Sequence, residues 1–300
     1  MFEMKQLLGT ARLPFLVLTP ACIGLGWAGA ALSTTPFPWS DALWVLVGAL
    51  CAHVSVNAFN EYLDFRSALD LHTVRTPFSG GSGTLPAHPH LAQATLVLAV
   101  LSLLLCIGIG LYFVAYRGLA LLPIGLLGVL LVLAYTRWIT RHPLLCLVAP
   151  GLGFGPLMVV GTSVALGGQY STAALVASLV PFFLCNNLLL LNQFPDVQAD
   201  RQAGRQHLLV QKGPRAASRY FAAMTVAAYA SLVLGVAAGA LPWGALAGLL
   251  GLALALPATR TVLRHYNYVQ ALLPAMGQNV GANLLTPTLM ALGMVLQRSL

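Results

Sequence analysis

Nine long apolar segments limit how this chain can fold. A helix of about 20 apolar residues crosses the roughly 30 Å hydrocarbon core of a bilayer. Only helices and closed barrels satisfy every backbone hydrogen bond there, and these segments lack the alternation of apolar and polar residues that barrel strands show. The sequence therefore predicts an all-α, polytopic membrane bundle of nine transmembrane helices, at residues 13–33, 42–63, 91–113, 118–136, 144–166, 172–194, 217–239, 243–262 and 279–297.

The scarcity of charge supports the same fold class. Charged residues make up 7% of the 300 residues and apolar residues 58%, whereas a typical soluble domain has about 25% charged residues. So few charges cannot cover a water-soluble protein of this size, and a disordered chain would be rich in charge. Soluble enzymes and disordered proteins are therefore excluded, and we expect residues 1–300 to form a single transmembrane domain.

Five of the seven acidic residues lie in two short clusters, at 61–70 and 196–200. The first cluster lies where the second predicted span ends, in a polar and glycine-rich region at 60–90. The second lies where the sixth span ends, in a polar region at 192–216. An even number of membrane crossings returns the chain to the side on which it started. The regions after the second and sixth spans therefore both lie on the side of the membrane that holds the N-terminus. A single site built from both regions is therefore geometrically possible.

Lysine and arginine determine the expected orientation. Only Arg117 and Arg298 fall on the side opposite the N-terminus. Cytoplasmic loops carry the excess of basic residues, so we expect an integral protein of the cell (inner) membrane with its N-terminus and both acidic loops in the cytoplasm. The thirteen basic residues on the N-terminal side are Lys5, Arg12, Arg66, Arg75, Arg137, Arg141, Arg201, Arg205, Lys212, Arg215, Arg219, Arg260 and Arg264.

The two acidic clusters share a short pattern. Residues 60–64 read NEYLD and residues 192–196 read NQFPD, so each has Asn, a Glu or Gln, an aromatic residue, one variable residue and Asp. A further aspartate follows each copy, at Asp70 and at Asp200. The copies lie 132 residues and four spans apart. This repeat predicts two related four-helix halves followed by a ninth helix.

The spacing within the clusters indicates a metal site. Residues four apart share a helix face, so Asn60 projects with Asp64, and the polar residues of the second copy project together if their helix continues. The six-residue step from Asp64 to Asp70 instead requires a bend. Four aspartates meeting in a partly dehydrated cavity repel one another. Mg²⁺ relieves that repulsion, because it prefers oxygen ligands and leaves positions for a substrate phosphate.

These segments resemble a known family. NAFNEYLDFRSALD (57–70), RTPFSGGSGTLP (75–86) and NQFPDVQADRQAGRQHL (192–208) are similar to the UbiA superfamily of intramembrane prenyltransferases, and the resemblance covers roughly residues 10–297. It implies nine transmembrane helices and two aspartate-rich motifs that bind a prenyl diphosphate through Mg²⁺. NEYLDFRSALD and GFGPLMVVGTSVALGG (153–168) resemble the branch that prenylates 1,4-dihydroxy-2-naphthoate in menaquinone biosynthesis. Ser67 and Ala68 depart from that branch, which often has a glycine before the last aspartate.

The resemblance implies a prenyltransferase that joins a polyprenyl diphosphate to an aromatic acceptor within membrane lipid. We expect neither a nucleic acid nor an obligate protein partner. The residues implied to bind Mg²⁺ and to act in catalysis are Asp64, Asp70, Asp196 and Asp200, with Asn60 and Asn192 bound to metal or phosphate. The residues expected to bind the diphosphate are Arg75, Arg141, Arg205 and Ser79, with Arg12 and Arg137 as further candidates.

Several alternatives stay open. The same chemistry on 4-hydroxybenzoate, homogentisate, haem or a chlorophyll precursor requires the same motifs. An ion-coupled secondary transporter is disfavoured, since transporter sites lie near the membrane midplane and these acids gather at one face. Glu61 either belongs to the site or pairs with a nearby arginine. His53, inside the second span, either packs between helices or positions an acceptor.

Overall fold

A computed structural model describes residues 2–32, 37–73, 75–167 and 169–299, and within these ranges it contains helices and no strands. Among the described residues, eight helices are long and apolar enough to cross a membrane, and α4 (Leu119–Ala134) is a shorter apolar helix. The predicted all-helical membrane bundle is confirmed, with α4 in place of the fourth full span. The eight long helices are α1 (Leu13–Ala31), α2 (Trp39–Arg66), α3 (Pro89–Arg117), α5 (Pro143–Gly167), α6 (Thr172–Gln202), α7 (Leu208–Ala237), α8 (Trp243–His265) and α9 (Val269–Arg298).

Two helices extend well beyond the apolar segments that reveal them. Helix α7 begins at Leu208, nine residues before the predicted span, and α9 begins at Val269, ten residues before its span. The additional turns of α7 contain Lys212 and Arg215, so hydropathy alone does not detect them. The helical path is interrupted at Gly213, which has φ 79° and precedes a proline. Proline cannot donate the backbone hydrogen bond that would continue the helix.

The outer surface of the bundle is apolar. Large aliphatic side chains stay exposed along several helices, including Leu101, Leu104, Leu126, Leu130, Leu234, Leu250 and Leu296. A soluble monomer rarely leaves so large an apolar surface in water. Together with the eight apolar helices, this surface indicates an integral membrane protein.

Helix α1 packs inside the bundle. It contacts α2, α5, α6 and α9, and its residues Leu18, Cys22 and Leu25 are buried in the largest core cluster of the described chain. Leu184 of α6 and Met290 of α9 belong to the same cluster. The first and last membrane helices therefore pack together with the middle of the chain.

Helix α5 widens into a π-helix over Gly153–Val160, shortly after Pro150. Gly155 lies so close to α6 that a Cβ atom there would be 2.8 Å from the backbone nitrogen of Phe182. The Asn186 Oδ1 atom of α6 accepts a hydrogen bond from the Gly151 amide at 2.6 Å. π-Helical turns are rare and often occur at functional sites, and this one places Phe154 on the wall of a large apolar cavity.

Candidate active site

The two acidic motifs meet at one end of the bundle. Helix α2 carries Asn60 and Asp64 near its C-terminus and ends at Arg66. Ala68 then adopts φ 61°, and a short helix, Leu69–His72, brings back Asp70. This is the bend that the six-residue spacing predicts. Helix α6 continues without a break to Gln202, so the residues of the second motif share one face.

The meeting point is a polar pocket of about 110 Å³. Eight of the ten residues expected in the site line it, and Arg75 and Arg141 do not. Arg12, which the sequence offers as a further candidate, is also part of the wall. The eight residues are Asn60, Asp64, Asp70, Ser79, Asn192, Asp196, Asp200 and Arg205.

Arg205 bridges the two motifs. Its Nη1 atom donates to Asp200 Oδ1 at 2.9 Å, and its Nη2 atom donates to Asp64 Oδ1. Both aspartates are buried, so neither charge is well hydrated. Burial alone would lower the pKa of Arg205, but the two carboxylates outweigh it and raise that pKa above its ordinary value. The guanidinium therefore stays protonated and neutralises charge between the two halves of the bundle.

Arg12 forms a second cationic contact. It lies just before α1 with φ 53°, and its Nη2 atom donates to Asn60 Oδ1 at 2.9 Å. Asn60 in turn donates through Nδ2 to Asp64 Oδ2 at 2.9 Å. Both oxygens of Asp64 thus accept hydrogen bonds, one from Asn60 in the first motif and one from Arg205, which follows the second motif. The amide of Asn60 orients this carboxylate toward the pocket.

The glycine-rich loop, residues 79–83, is attached to the site by Glu61. This side chain is fully buried and accepts hydrogen bonds from the Ser82 amide at 2.8 Å and the Ser82 hydroxyl at 2.6 Å. Arg12 Nε donates to the same carboxylate at 2.7 Å. Of the two alternatives left open for Glu61, the structure shows pairing with an arginine, and it adds a role in holding the loop.

The loop itself forms one wall of the pocket. Gly80 and Gly81 adopt φ 81° and 71°, a region that favours glycine. The Gly80 amide donates to Asp196 Oδ2 at 3.3 Å. A Cβ atom on Gly81 would lie 3.2 Å from Asp70 Oδ1, so the backbone approaches both motifs closely. Successive amides in such conformations suit anions.

Two of the arginines expected to bind the diphosphate, Arg75 and Arg141, lie outside the pocket. Arg75 is exposed and donates through Nη2 to the carbonyl oxygen of Ser82, beneath the loop. Arg141 is exposed in the turn Ile139–Arg141 before α5. All the candidate arginines lie at the same end of the helices, so sequence position does not separate those inside the pocket from those outside it.

His207 is a site residue that the sequence reasoning missed. It is buried, and its Nε2 atom lies 2.9 Å from Asp200 Oδ2. With Arg205 on the other oxygen, both oxygens of Asp200 are engaged. The sequence shows only that His207 lies shortly after the second motif. That position does not indicate where its side chain points.

The donor set fits a hard divalent cation. Asp70 Oδ2 and Asp196 Oδ1 are buried oxygens without a hydrogen-bond partner, and buried carboxylate oxygens normally have one. In the ranges described, no three His, Cys, Asp or Glu side chains form a ready-made metal cluster. Arg205 instead occupies the space between Asp64 and Asp200. Carboxylate oxygens of this kind are the ligands that Mg²⁺ prefers. Asp64 and Asp200 could both bind the ion only if Arg205 moved from between them.

Asp70, in the short helix Leu69–His72 that follows α2, has a carboxyl group with an unusual pKa. Burial and then the nearby charges of Asp64 and Glu61 raise the pKa of Asp70 to about 7. Each effect disfavours the ionised form. A cation bound beside Asp70 would reverse that balance, so the metal and the proton compete for this oxygen.

The polar pocket lies beside a much larger apolar cavity of about 710 Å³. Its wall is formed mainly by aliphatic and aromatic residues of α1 to α6 and α9. The arrangement can hold a long apolar chain in the cavity with its anionic head in the pocket. The two spaces share six wall residues, namely Arg12, Asn60, Phe78, Tyr135, Leu189 and Asn192.

Comparison with known proteins identifies the same family as the sequence motifs. The model of the UbiA prenyltransferase family matches residues 17–276. The 1,4-dihydroxy-2-naphthoate octaprenyltransferase of Bacillus subtilis (strain 168) is 27% identical over 208 residues, which cover 67% of this chain and 64% of that protein. The chain thus matches just under two thirds of the length of this relative.

Solved structures show the same fold. A UbiA homologue from Aeropyrum pernix K1 superposes with a TM-score of 0.71 at 18% identity, covering 93% of this chain and 98% of that one. A UbiA homologue from Archaeoglobus fulgidus, described as bound to DMAPP and Mg²⁺, gives 0.64 at 14% identity, covering 93% and 97%. The family match spans most of the chain, and this integral membrane protein therefore belongs to the UbiA prenyltransferase family.

Proposed function

We propose that the protein transfers a polyprenyl group from a polyprenyl diphosphate to 1,4-dihydroxy-2-naphthoate in a Mg²⁺-dependent reaction of menaquinone biosynthesis. The observation that carries the proposal is the junction of a polar pocket, lined by both aspartate motifs, with a large apolar cavity. The name of the Bacillus subtilis relative supports this acceptor. Residues 1–300 would form a single transmembrane prenyltransferase domain.

The ligands proposed for Mg²⁺ are the four motif aspartates, with the two motif asparagines on metal or phosphate. When bound, Mg²⁺ would stabilise the negative charge that develops on the departing diphosphate. The description of the Archaeoglobus fulgidus structure, with DMAPP and Mg²⁺, supports this cofactor. The proposed set is Asp64, Asp70, Asp196, Asp200, Asn60 and Asn192.

The remaining pocket residues would bind and orient the diphosphate. Arg205 and Arg12 line the pocket, and guanidinium groups make strong paired hydrogen bonds to phosphate. The loop amides near Ser79 supply further donors. Arg75 and Arg141 would reach the diphosphate only after a rearrangement, so we assign the clamp to Arg205 and Arg12.

The apolar cavity would protect the reacting carbon. The allylic C–O bond breaks and its electron pair leaves with the pyrophosphate. A carbon of the electron-rich ring then forms a C–C bond to the allylic carbon, and the ring loses a proton to regain aromaticity. Water would intercept the allylic cation, and the dry wall of the cavity excludes it.

The orientation proposed for the enzyme is that of a cell-membrane protein with the active site facing the cytoplasm. The basic residues on the side of the acidic loops support it. Both the water-soluble pyrophosphate product and the Mg²⁺ would then exchange with the cytoplasm, while the lipid substrate enters from the bilayer.

Purified protein in lipid nanodiscs tests the proposal. It is incubated with Mg²⁺, prenyl diphosphates of several lengths, and 1,4-dihydroxy-2-naphthoate, 4-hydroxybenzoate or homogentisate. We expect a prenylated naphthoate that disappears with EDTA and returns with Mg²⁺. Asp64→Asn and Asp196→Asn should lower turnover at least 100-fold, whereas the exposed control Glu3→Gln keeps it. Folded protein that prenylates another acceptor but not the naphthoate contradicts the acceptor assignment, and protein that prenylates no aromatic acceptor contradicts the whole proposal.

A further inference from the structure

Two of the motif aspartates share one arrangement of hydrogen bonds. The Oδ1 atoms of Asp64 and Asp200 both accept from Arg205. The Oδ2 atom of Asp64 accepts from Asn60 Nδ2 at 2.9 Å. The Oδ2 atom of Asp200 lies 2.9 Å from His207 Nε2. Each carboxylate therefore has one oxygen on the shared guanidinium and the other on a donor of its own.

The side chain of His207 does not serve its own helix. His207 is the N-cap residue of α7, but its side chain makes no capping hydrogen bond. N-cap positions favour Ser, Thr, Asp and Asn, because these side chains accept a hydrogen bond from the first turn. The imidazole instead turns to Asp200, and within the described ranges its buried Nδ1 atom has no partner. The polar contact of this buried side chain is thus made with a motif aspartate.

The contact of His207 does not depend on Arg205. The Oδ2 atom of Asp200 accepts, so Nε2 carries the hydrogen of this bond. A cation that replaced Arg205 beside Oδ1 would leave the bond to Oδ2 in place. His207 is 2% exposed, so bulk water does not compete for the same oxygen. Asp200 would then present Oδ1 alone to the metal.

The number of oxygens that a carboxylate presents distinguishes hard cations. Mg²⁺ requires near-ideal octahedral geometry at about 2.0–2.1 Å, which one oxygen from each carboxylate suits. Ca²⁺ takes about six to eight oxygens at about 2.3–2.6 Å and can bind both oxygens of one carboxylate. Donors held on the Oδ2 atoms of Asp64 and Asp200 obstruct that second mode. The arrangement therefore favours Mg²⁺ over Ca²⁺.

We propose that His207 is a positioning residue that makes the site selective for Mg²⁺ over Ca²⁺, because it keeps Asp200 a one-oxygen ligand. This inference rests on the proposed function, since it concerns the metal of that reaction. Asn60 would act on Asp64 in the same way through Nδ2. His207 itself would touch neither the metal nor the substrates.

Substitutions at position 207 separate the contact with Asp200 from the start of α7. Threonine and asparagine are good N-cap residues, but neither places a donor where Nε2 lies. Glutamine carries an amide nitrogen near the place of Nε2 and should keep the bond. His207→Thr and His207→Asn should therefore free the Oδ2 atom, whereas His207→Gln should not.

Isothermal titration calorimetry with Mg²⁺ alone and with Ca²⁺ alone measures the selectivity without any turnover. We expect the wild type to bind Mg²⁺ at least tenfold more tightly than Ca²⁺. His207→Thr and His207→Asn should lose most of that preference, through weaker Mg²⁺ binding and equal or tighter Ca²⁺ binding. His207→Gln should retain it. A role of His207 in packing alone would instead lower both affinities by the same factor.

His142→Thr is the matched control. His142 is the N-cap residue of α5 and also makes no side-chain capping bond, but it is exposed and does not line the pocket. It should retain the wild-type preference. Equal affinities of the wild type for the two ions would overturn the proposal, and so would an unchanged preference in folded His207→Thr or His207→Asn.

Prenylation by the wild type is measured separately. If the wild type prenylates an aromatic acceptor and the variants at position 207 keep the preference for Mg²⁺, the role of His207 is wrong and the proposed function stands. If it prenylates none, the proposed function fails, whatever the calorimetry shows.

Discussion

Arg205 donates a hydrogen bond to Asp64, a residue 141 positions earlier in the chain. Its other terminal nitrogen donates to Asp200 at 2.9 Å. One guanidinium thus joins the end of α2 to the end of α6 and neutralises two buried carboxylates. A divalent cation held by these aspartates would have to replace Arg205 there, and the freed guanidinium would then be available to the diphosphate.

Replacing Arg205 should therefore have opposite effects on two ligands. Without the competing guanidinium, Arg205→Met should bind Mg²⁺ alone several-fold more tightly than the wild type. It should bind prenyl diphosphate about 10- to 100-fold more weakly, since charge-assisted hydrogen bonds contribute about 1.5–3 kcal/mol. Isothermal titration calorimetry measures both affinities. Arg201→Met, an exposed arginine four residues away, is the control and should change neither. Weaker Mg²⁺ binding in Arg205→Met would contradict the competition.

Glu61→Gln should loosen the glycine-rich loop. The substitution removes the charge that holds Arg12 and weakens the hydrogen bonds from Ser82. We expect faster hydrogen exchange at residues 79–83, a lower Tm, and a several-fold higher KM for prenyl diphosphate with little change for the acceptor. Asp41→Asn breaks a comparable pair, with Arg117 at 2.8 Å on the opposite side of the bundle. It should lower the Tm without affecting exchange in the loop, and equal loop exchange in both variants would disprove the role of Glu61.

Gly81→Ala should weaken Mg²⁺ binding in addition to straining the backbone. The new methyl group would lie 3.2 Å from Asp70 Oδ1, and φ 71° already disfavours alanine. Gly239 has φ 72° with nothing near its Cβ position, so Gly239→Ala carries the same strain away from the aspartates. We expect similar losses of Tm in the two variants, but a tenfold or greater loss of Mg²⁺ affinity only in Gly81→Ala. Equal Mg²⁺ affinities in the two variants would mean that the new methyl group does not disturb Asp70.

Mg²⁺ binding should depend on pH through Asp70. Its raised pKa of about 7 means that the carboxyl group is largely protonated below pH 7 and must release a proton to bind metal. Apparent affinity should therefore fall by up to tenfold for each pH unit below 7 and level off above it. Calorimetry at pH 5.5–8.5, in buffers of different ionisation enthalpy, measures both the affinity and the proton release. Asp70→Asn should bind Mg²⁺ more weakly and release about one proton fewer on binding near pH 7, and an unchanged proton release in that variant would assign the proton to another group.

The sequence determined the class of fold and identified the acidic motifs that line the candidate pocket. Apolar segments identify membrane helices because each residue of a span contributes its own free energy of transfer into the bilayer. That sum can be read from a short stretch of sequence. The spacing of Asn60, Asp64 and Asp70 predicted both the shared helix face and the bend, because helix geometry is also local. The repeat in NEYLD and NQFPD placed both motifs at equivalent helix ends.

Only the tertiary structure decided which charged groups meet. Arg205 and Arg12 line the pocket while Arg75 and Arg141 lie outside it, although all four occupy loops or helix ends on the same side. Glu61 binds the loop through Ser82, and His207 binds Asp200, by contacts that depend on how distant helices pack. Spacing along the chain fixes a residue's height and helix face, but side-chain partners are set by the rotation of each helix against its neighbours, which no local pattern encodes.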